Sequence, residues 1–197
     1  MQVIDIFLEF HKGKGLPNQA IDRLFDRLSE EQLRCRPHPA LNSFAWIVWH
    51  IARAEDVGVN RFVTDGRQVL DEGNWNEKLR IARRDHGGGM TDAAVTELSQ
   101  QIDLPALRAY YHAVRDRTVE VVKTLRPEQL DEVPSTADRL RIMIEEGILS
   151  PPPAWDRRPY ADYSRGALLI HLAMTHSYGH YYEVCTICSL MGVEFWG

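Results

Sequence analysis

Cysteine is scarce. The chain has three, Cys35, Cys185 and Cys188, and so small and odd a number excludes a disulfide framework and fits a reducing compartment. A cytoplasmic protein is expected. Long apolar runs are lacking as well. The best stretches, residues 44–52 and 167–174, reach about nine residues and contain His50 and His171, far short of the ~18 that read as a membrane span. The start of the sequence carries Asp5 and Glu9 within its apolar stretch and no basic region before it, so a signal peptide is not expected. Basic blocks do not exceed the pairs Arg83-Arg84 and Arg157-Arg158, and the net charge is −5. Without a basic footprint, nucleic acid is not an expected partner. Sustained period-2 alternation and paired hairpin strands are also missing, which excludes a sheet.

What is present is an ordinary globular composition, 44% hydrophobic and 26% charged, on a chain long enough to bury roughly 70% of its unfolded surface without a disulfide or metal. One domain over residues 1–197 is expected. The apolar spacing is helical throughout. Val3, Ile6, Phe7 and Phe10, then Ile21, Leu24, Phe25 and Leu28, describe a first helix that Gly13, Gly15 and Pro17 either bend or break. A second helix follows Pro39, with Asn42 as its expected N-cap, and runs to about Thr64, where Asp65-Gly66 stops it. Residues 65–90 form a polar excursion with a short helix expected near 76–83 and a Gly87-Gly88-Gly89 end. Thr91 caps the next stretch, and a third long helix covers about 104–125. A helix near 137–147 leads to Pro151-Pro152-Pro153, an extended connection. Ser164 caps the last long helix, which ends at Gly192. Leu28–Leu33 and Leu125–Leu130 share the pattern L-x-x-E-Q-L, each before a helix that carries histidine. The echo points to two similar helix pairs, although helix-start chemistry alone favours such a pattern. The fold expected is an all-α four-helix bundle with one long central connection.

His176 and His180 stand one turn apart on one helix face, close enough to chelate one ion. At about 100° per residue, Leu169, Leu172, Ala173, Glu183 and Ile187 fall within roughly 60° of His176, so the pair sits in a stripe whose apolar ends face the core. His50 occupies a similar apolar face with Trp46, Ile47, Ala54 and Val57, and is the candidate third ligand. A lone histidine on such a face is more often a hydrogen-bonded core residue. A neighbouring HxxxH helix favours the metal reading. Glu183 is a candidate fourth ligand, outer hydrogen-bond acceptor or general base, and is taken as the candidate catalytic carboxylate. Trp46, one turn from His50, is the candidate to line a cofactor or substrate pocket. Glu55 and Asp56 lie off the His50 face and are expected to solvate the helix. His171 points about 140° away from His176 on a straight helix. His112 can approach the pocket from the third helix, and His11, His38 and His86 are expected in solvent. Cys185-Thr186-Ile187-Cys188 lacks the preceding strand of a thioredoxin motif and reads as packing.

The phrase Asn42-Ser43-Phe44-Ala45-Trp46-Ile47-Val48-Trp49-His50-Ile51-Ala52-Arg53-Ala54-Glu55-Asp56 resembles the second-helix motif of the DinB/YfiT-like superfamily. His176-x-x-x-His180-Tyr181-Tyr182-Glu183 resembles its last-helix motif, and Gly89-Met90-Thr91 is similar to a turn of its actinobacterial members. The resemblance covers nearly the whole chain in order, with variable central loops and a 130–163 region larger than in compact members. It implies a four-helix bundle with one divalent ion on one histidine of the second helix and two of the last, here His50, His176 and His180. Three imidazoles suit Zn, Ni, Cu or Fe, with zinc or nickel the first candidates. Three neutral ligands leave an open position, the layout of a catalytic site. The resemblance further implies a thiol-dependent transferase or isomerase, with a low-molecular-weight thiol and an electrophilic substrate as partners and a homodimer as a candidate assembly. A hydrolase using bound water and a non-enzymatic metal or small-ligand binder are the alternatives.

Overall fold

The computed structural model describes residues 3–14, 16–148 and 162–194. α1 (Val3–Leu8) runs into a π-helical turn, Glu9–Lys14, and is followed by α2 (Leu16–Arg27) and α3 (Glu30–Arg34). α4 (Phe44–Glu55) continues as a π-helical stretch, Asp56–Val63. The central connection carries α5 (Val69–Glu72), α6 (Trp75–Leu79) and α7 (Asp92–Gln101). α8 (Leu104–Thr124) leads through a 3-10 turn, Pro127–Asp131, to α9 (Thr136–Glu145). α10 (Arg165–Ile170), a further π-helical turn, His171–Thr175, and α11 (His176–Leu190) make the last long element. α4 packs on both α8 and α11, and α11 also on α2. This is the expected all-α bundle with its long central connection, and no strand occurs among the described residues. None of its helices there is long and apolar enough to cross a membrane. The proline connection at 151–153, with Trp155 and Trp196, lies outside the described residues.

Local chemistry sets the ends. Ser43, Thr91, Asp103 and Ser164 each accept a hydrogen bond from the backbone N–H three residues on, satisfying a donor that the first helical turn leaves open. The second long helix is therefore capped by Ser43 rather than by Asn42, whose side chain is drawn instead to Glu183 at 2.8 Å. The expected helix near 76–83 is displaced to Trp75–Leu79, because Asn74 before it and Arg80 after it both adopt left-handed backbone angles (φ 51 and 59). The L-x-x-E-Q-L echo resolves into shared start chemistry. Gln32 accepts from the Ser29 N–H, and Gln129 from the Arg126 N–H, both at 2.9 Å.

All twelve residues of α4 are buried, including polar ones that the helical wheel assigned to solvent. Asp56 just beyond is fully buried too. One of its oxygens accepts from the Val69 N–H at 2.8 Å and Asn60 at 2.8 Å. The other accepts from the Leu70 N–H at 3.0 Å, the Tyr110 hydroxyl at 2.7 Å and Arg53 at 3.1 Å. Asp56 thus caps α5 from another helix. Glu55 meets His11 at 2.7 Å and Arg115 at 3.5 Å inside the bundle. The expectation that Glu55, Asp56 and His11 are solvated is corrected accordingly: α4 is central and has no solvent face. Gly58 lies against Leu172 so closely that a methyl group there would collide with it. A glycine is needed at that point for the second and last long elements to approach.

Burial raises the Glu55 pKa, but the charges of His11 and Arg115 outweigh it and hold the carboxyl below its ordinary 4.5. A depressed carboxylate stabilises the fold above its unfolded value, and that contribution is lost as pH falls through the native value. We therefore expect thermal stability to decline as pH drops below about 5, with a shallower decline in Glu55→Gln, measured as melting temperature against pH. An identical pH dependence in the variant would show that Glu55 carries none of it.

Candidate metal centre

The regular helix of α11 begins at His176, so His176 and His180 occupy successive turns of one face, with ring centroids 4.7 Å apart. α4, packed beside it, brings His50 to 4.8 Å from each ring. One side-chain nitrogen from each of the three lies within 4.8 Å of the others, and the His50 and His176 Nε2 atoms are 3.1 Å apart. Trp46, one turn earlier on α4, stacks on His50 with centroids 4.6 Å apart and planes 13° from parallel.

The outer nitrogens are fixed by the protein. His50 Nδ1 donates to the backbone carbonyl of His86, and His180 Nδ1 donates to Glu183 at 2.8 Å. The second Glu183 oxygen accepts from the Asn42 side chain at 2.8 Å and its backbone N–H at 3.4 Å. With Nδ1 protonated and committed, the lone pair in both rings is on Nε2. Two imidazole nitrogens on a tetrahedral ion, at bonds of about 2.0–2.1 Å, stand roughly 3.3–3.4 Å apart. The 3.1 Å separation of His50 and His176 Nε2 is close to that. One nitrogen pair thus already stands at ligand spacing, all three lie within 4.8 Å of one another, and the three-histidine group can hold a divalent ion.

The electrostatics of His50 and His176 agree with neutral imidazoles. Burial, with the neighbouring rings adding to it, pushes the His50 pKa down to about 3 and the His176 pKa down to about 2. A proton is then a weak competitor for either lone pair. Burial raises the Glu183 pKa, but hydrogen bonds from His180 and Asn42 outweigh it and keep the carboxyl ionised. A carboxylate on the far nitrogen orients an imidazole and increases its basicity.

The remaining candidates separate clearly. Glu183 touches the triad through His180, in the manner of an outer acceptor. His171 bonds Thr175 at 3.4 Å and lies edge-on to Tyr163. His112 pairs with Asp22 at 2.9 Å. His38 is exposed, as expected. Cys35, Cys185 and Cys188 are free thiols. His86, expected in solvent, is instead half-buried beside the triad, its ring 5.6 Å from that of His50. The clue in the sequence was the glycine run after it. Gly87 has φ 86, and a side chain there would meet Trp49 at 2.6 Å and Trp46 at 3.0 Å, so the run marks backbone pressed onto α4.

The family model of the DinB superfamily matches residues 18–184. A crystal structure described as that of a conserved protein from Enterococcus faecalis superposes with a TM-score of 0.68, covering 98% of this chain and 99% of that one at 17% identity. That likeness is one of fold. No curated protein matches the sequence.

The triad predicts a metal titration. His50→Ala, His176→Ala and His180→Ala should each lose most of the bound metal, whereas His171→Ala should keep it. Glu183→Gln should weaken affinity by about 10- to 100-fold through His180. Zinc or cobalt content per chain, with thermal melts beside it, checks this. Full occupancy in His50→Ala would remove that residue from the ligand set.

Proposed function

The chain belongs to the DinB superfamily, and we propose that it is a metal-dependent transferase that activates a small thiol for transfer to an electrophile. In this reading one divalent ion, zinc or nickel, is held by His50, His176 and His180. The observation that carries it is the donor set: among the described residues the cluster consists of three histidines, with no cysteine or carboxylate joining them. Three neutral ligands leave a coordination position open and the ion's charge uncompensated. When bound, the ion would supply Lewis acidity, which would lower the pKa of a thiol in that position so that it loses its proton to solvent and takes the nucleophilic form.

The chain's own residues hold and shape this site. Trp46 fixes the plane of His50 by stacking, and the His86 carbonyl fixes its tautomer. Glu183 does the same for His180. With its oxygens accepting from His180 and Asn42, Glu183 serves in this reading as the outer partner of a ligand ring rather than as the base that would activate water. A thiol needs less help: its ordinary pKa is near 8.5, and a nearby cation lowers it. This favours thiol chemistry over hydrolysis on the same triad.

Cobalt substitution tests the reading. The Co²⁺ protein should show a visible spectrum that gains a sulfur-to-metal charge-transfer band when a small thiol is added. If no thiol changes the spectrum while carboxylates or hydroxide do, thiol transfer is rejected and hydrolysis becomes the better reading.

A further inference from the structure

The loop that carries His86 is held to α4 by three consecutive backbone carbonyls. Arg53, fully buried, donates to the carbonyls of Arg84 and Asp85. His50 donates to that of His86. The Asp85 side chain accepts from the Gly87 N–H at 2.7 Å and tightens the turn. A loop fixed at successive residues presents its side chain in a defined place. The His86 ring lies so close to Gly88 that a methyl there would stand 2.6 Å from its Cε1.

The tautomer of that ring is also set. The Gly88 N–H donates to His86 Nδ1 at 3.3 Å, so Nδ1 carries the lone pair and the proton of the ring is on Nε2. Nδ1 is the ring nitrogen nearer the loop backbone: a methyl on Gly88 would stand 3.2 Å from Nδ1 and 3.7 Å from Nε2. Nε2 has no hydrogen-bond partner among the described residues. The ring centroid is 5.6 Å from that of His50, and His86 does not belong to the group of nitrogens within 4.8 Å of one another. At that separation the ring is too distant to join the triad as it stands, yet near enough to reach an atom seated beside it.

We propose that the Nε2–H of His86 donates a hydrogen bond to the anion seated on the triad, which makes His86 a substrate-contacting residue supplied by the central connection. The inference rests on the metal reading above, and for a thiolate on the thiol reading too. The bond forms without proton transfer. The loop then has two separate roles: its backbone orients a ligand histidine, and its side chain holds what the site binds.

The two roles can be separated by mutation, because His86→Ala removes the ring and leaves the carbonyl that His50 needs. In the Co²⁺-substituted protein, 2-mercaptoethanol and azide serve as probes, their affinities read from the visible spectrum. His86→Ala should keep its cobalt content and bind both probes about ten- to a hundredfold more weakly, the effect of removing one hydrogen bond to a charged group. His86→Gln, which restores an N–H donor at similar reach, should recover most of the loss, and Gly88→Ala should weaken binding by moving the ring. If the wild-type protein binds azide but not 2-mercaptoethanol, the thiol reading fails and the azide series alone decides the role of His86. Equal probe affinities in His86→Ala and wild type would overturn the proposal. So would loss of cobalt in His86→Ala, which would make the ring a ligand instead.

Discussion

A helix buried on every face can keep a polar side chain only if another element comes to meet it, and α4 is such a helix. Its polar residues and the one that follows reach four different parts of the chain. His50 reaches α11 and the His86 carbonyl. Arg53 reaches Tyr110 of α8 and the carbonyls of Arg84 and Asp85. Glu55 meets His11 in the first π-helical turn and Arg115 of α8. Asp56 binds the first amides of α5. Residues 65–90 are held by these bonds and by Val69, Leu70, Leu79 and Ile81, which are buried in the main core. The same bonds that satisfy a buried helix therefore position the loop beside the three histidines.

The π-helical segments matter to the register. Such a turn adds a residue relative to α geometry and often marks a functional region. One lies directly before His176 and another directly after Glu55, and they approach where Gly58 lies against Leu172. The close contact fixes the last long element against α4 just ahead of the histidine pair. Past the turn, α11 is regular, so the i, i+4 spacing of His176 and His180 keeps its usual meaning. The turn also breaks the straight-helix geometry by which His171 was set aside. His171 nevertheless stays outside the triad, held by Thr175 and Tyr163.

The sequence displayed those parts of the fold and site whose determinants are local. Long apolar periods marked the bundle, and serine or threonine caps marked Thr91 and Ser164. The HxxxH pair needs only one helix, and His50 sits in an apolar stretch with no polar face. That same stretch also carries the signal for Glu55 and Asp56. A run as apolar as residues 44–52 signals a helix buried all round, so Glu55 and Asp56 at its end had to be buried and paired. A helix with one core face and one wet face would place them in solvent, and α4 has no wet face. His11 and His86 were out of reach for another reason: their partners, Glu55 and the His50 region, are distant in sequence. Nothing beside His11 names its partner, and the glycine run after His86 marks a close backbone approach without saying to which helix. Asn42 suits a cap by type and place, but Ser43 is the cap and Asn42 bonds Glu183.

Charge balance connects the outer partners to the chemistry. On the proposed reading, a divalent ion meets three uncharged rings, and the carboxylate of Glu183 acts on it only across His180. The outer contacts of the other two rings differ: His50 gives its proton to an uncharged carbonyl, and His176 Nδ1 is buried without a hydrogen-bond partner among the described residues. Most of the ion's charge is therefore left to whatever enters the open position. In a half-buried site, where water screens poorly, that imbalance favours an anion over a neutral ligand. A thiol that ionises on entry meets this condition without an internal base. The asymmetry among the rings has a consequence of its own. His180, backed by a carboxylate, is the most electron-rich donor of the three, so on that reading the loss of Glu183 would act first on the bond from His180.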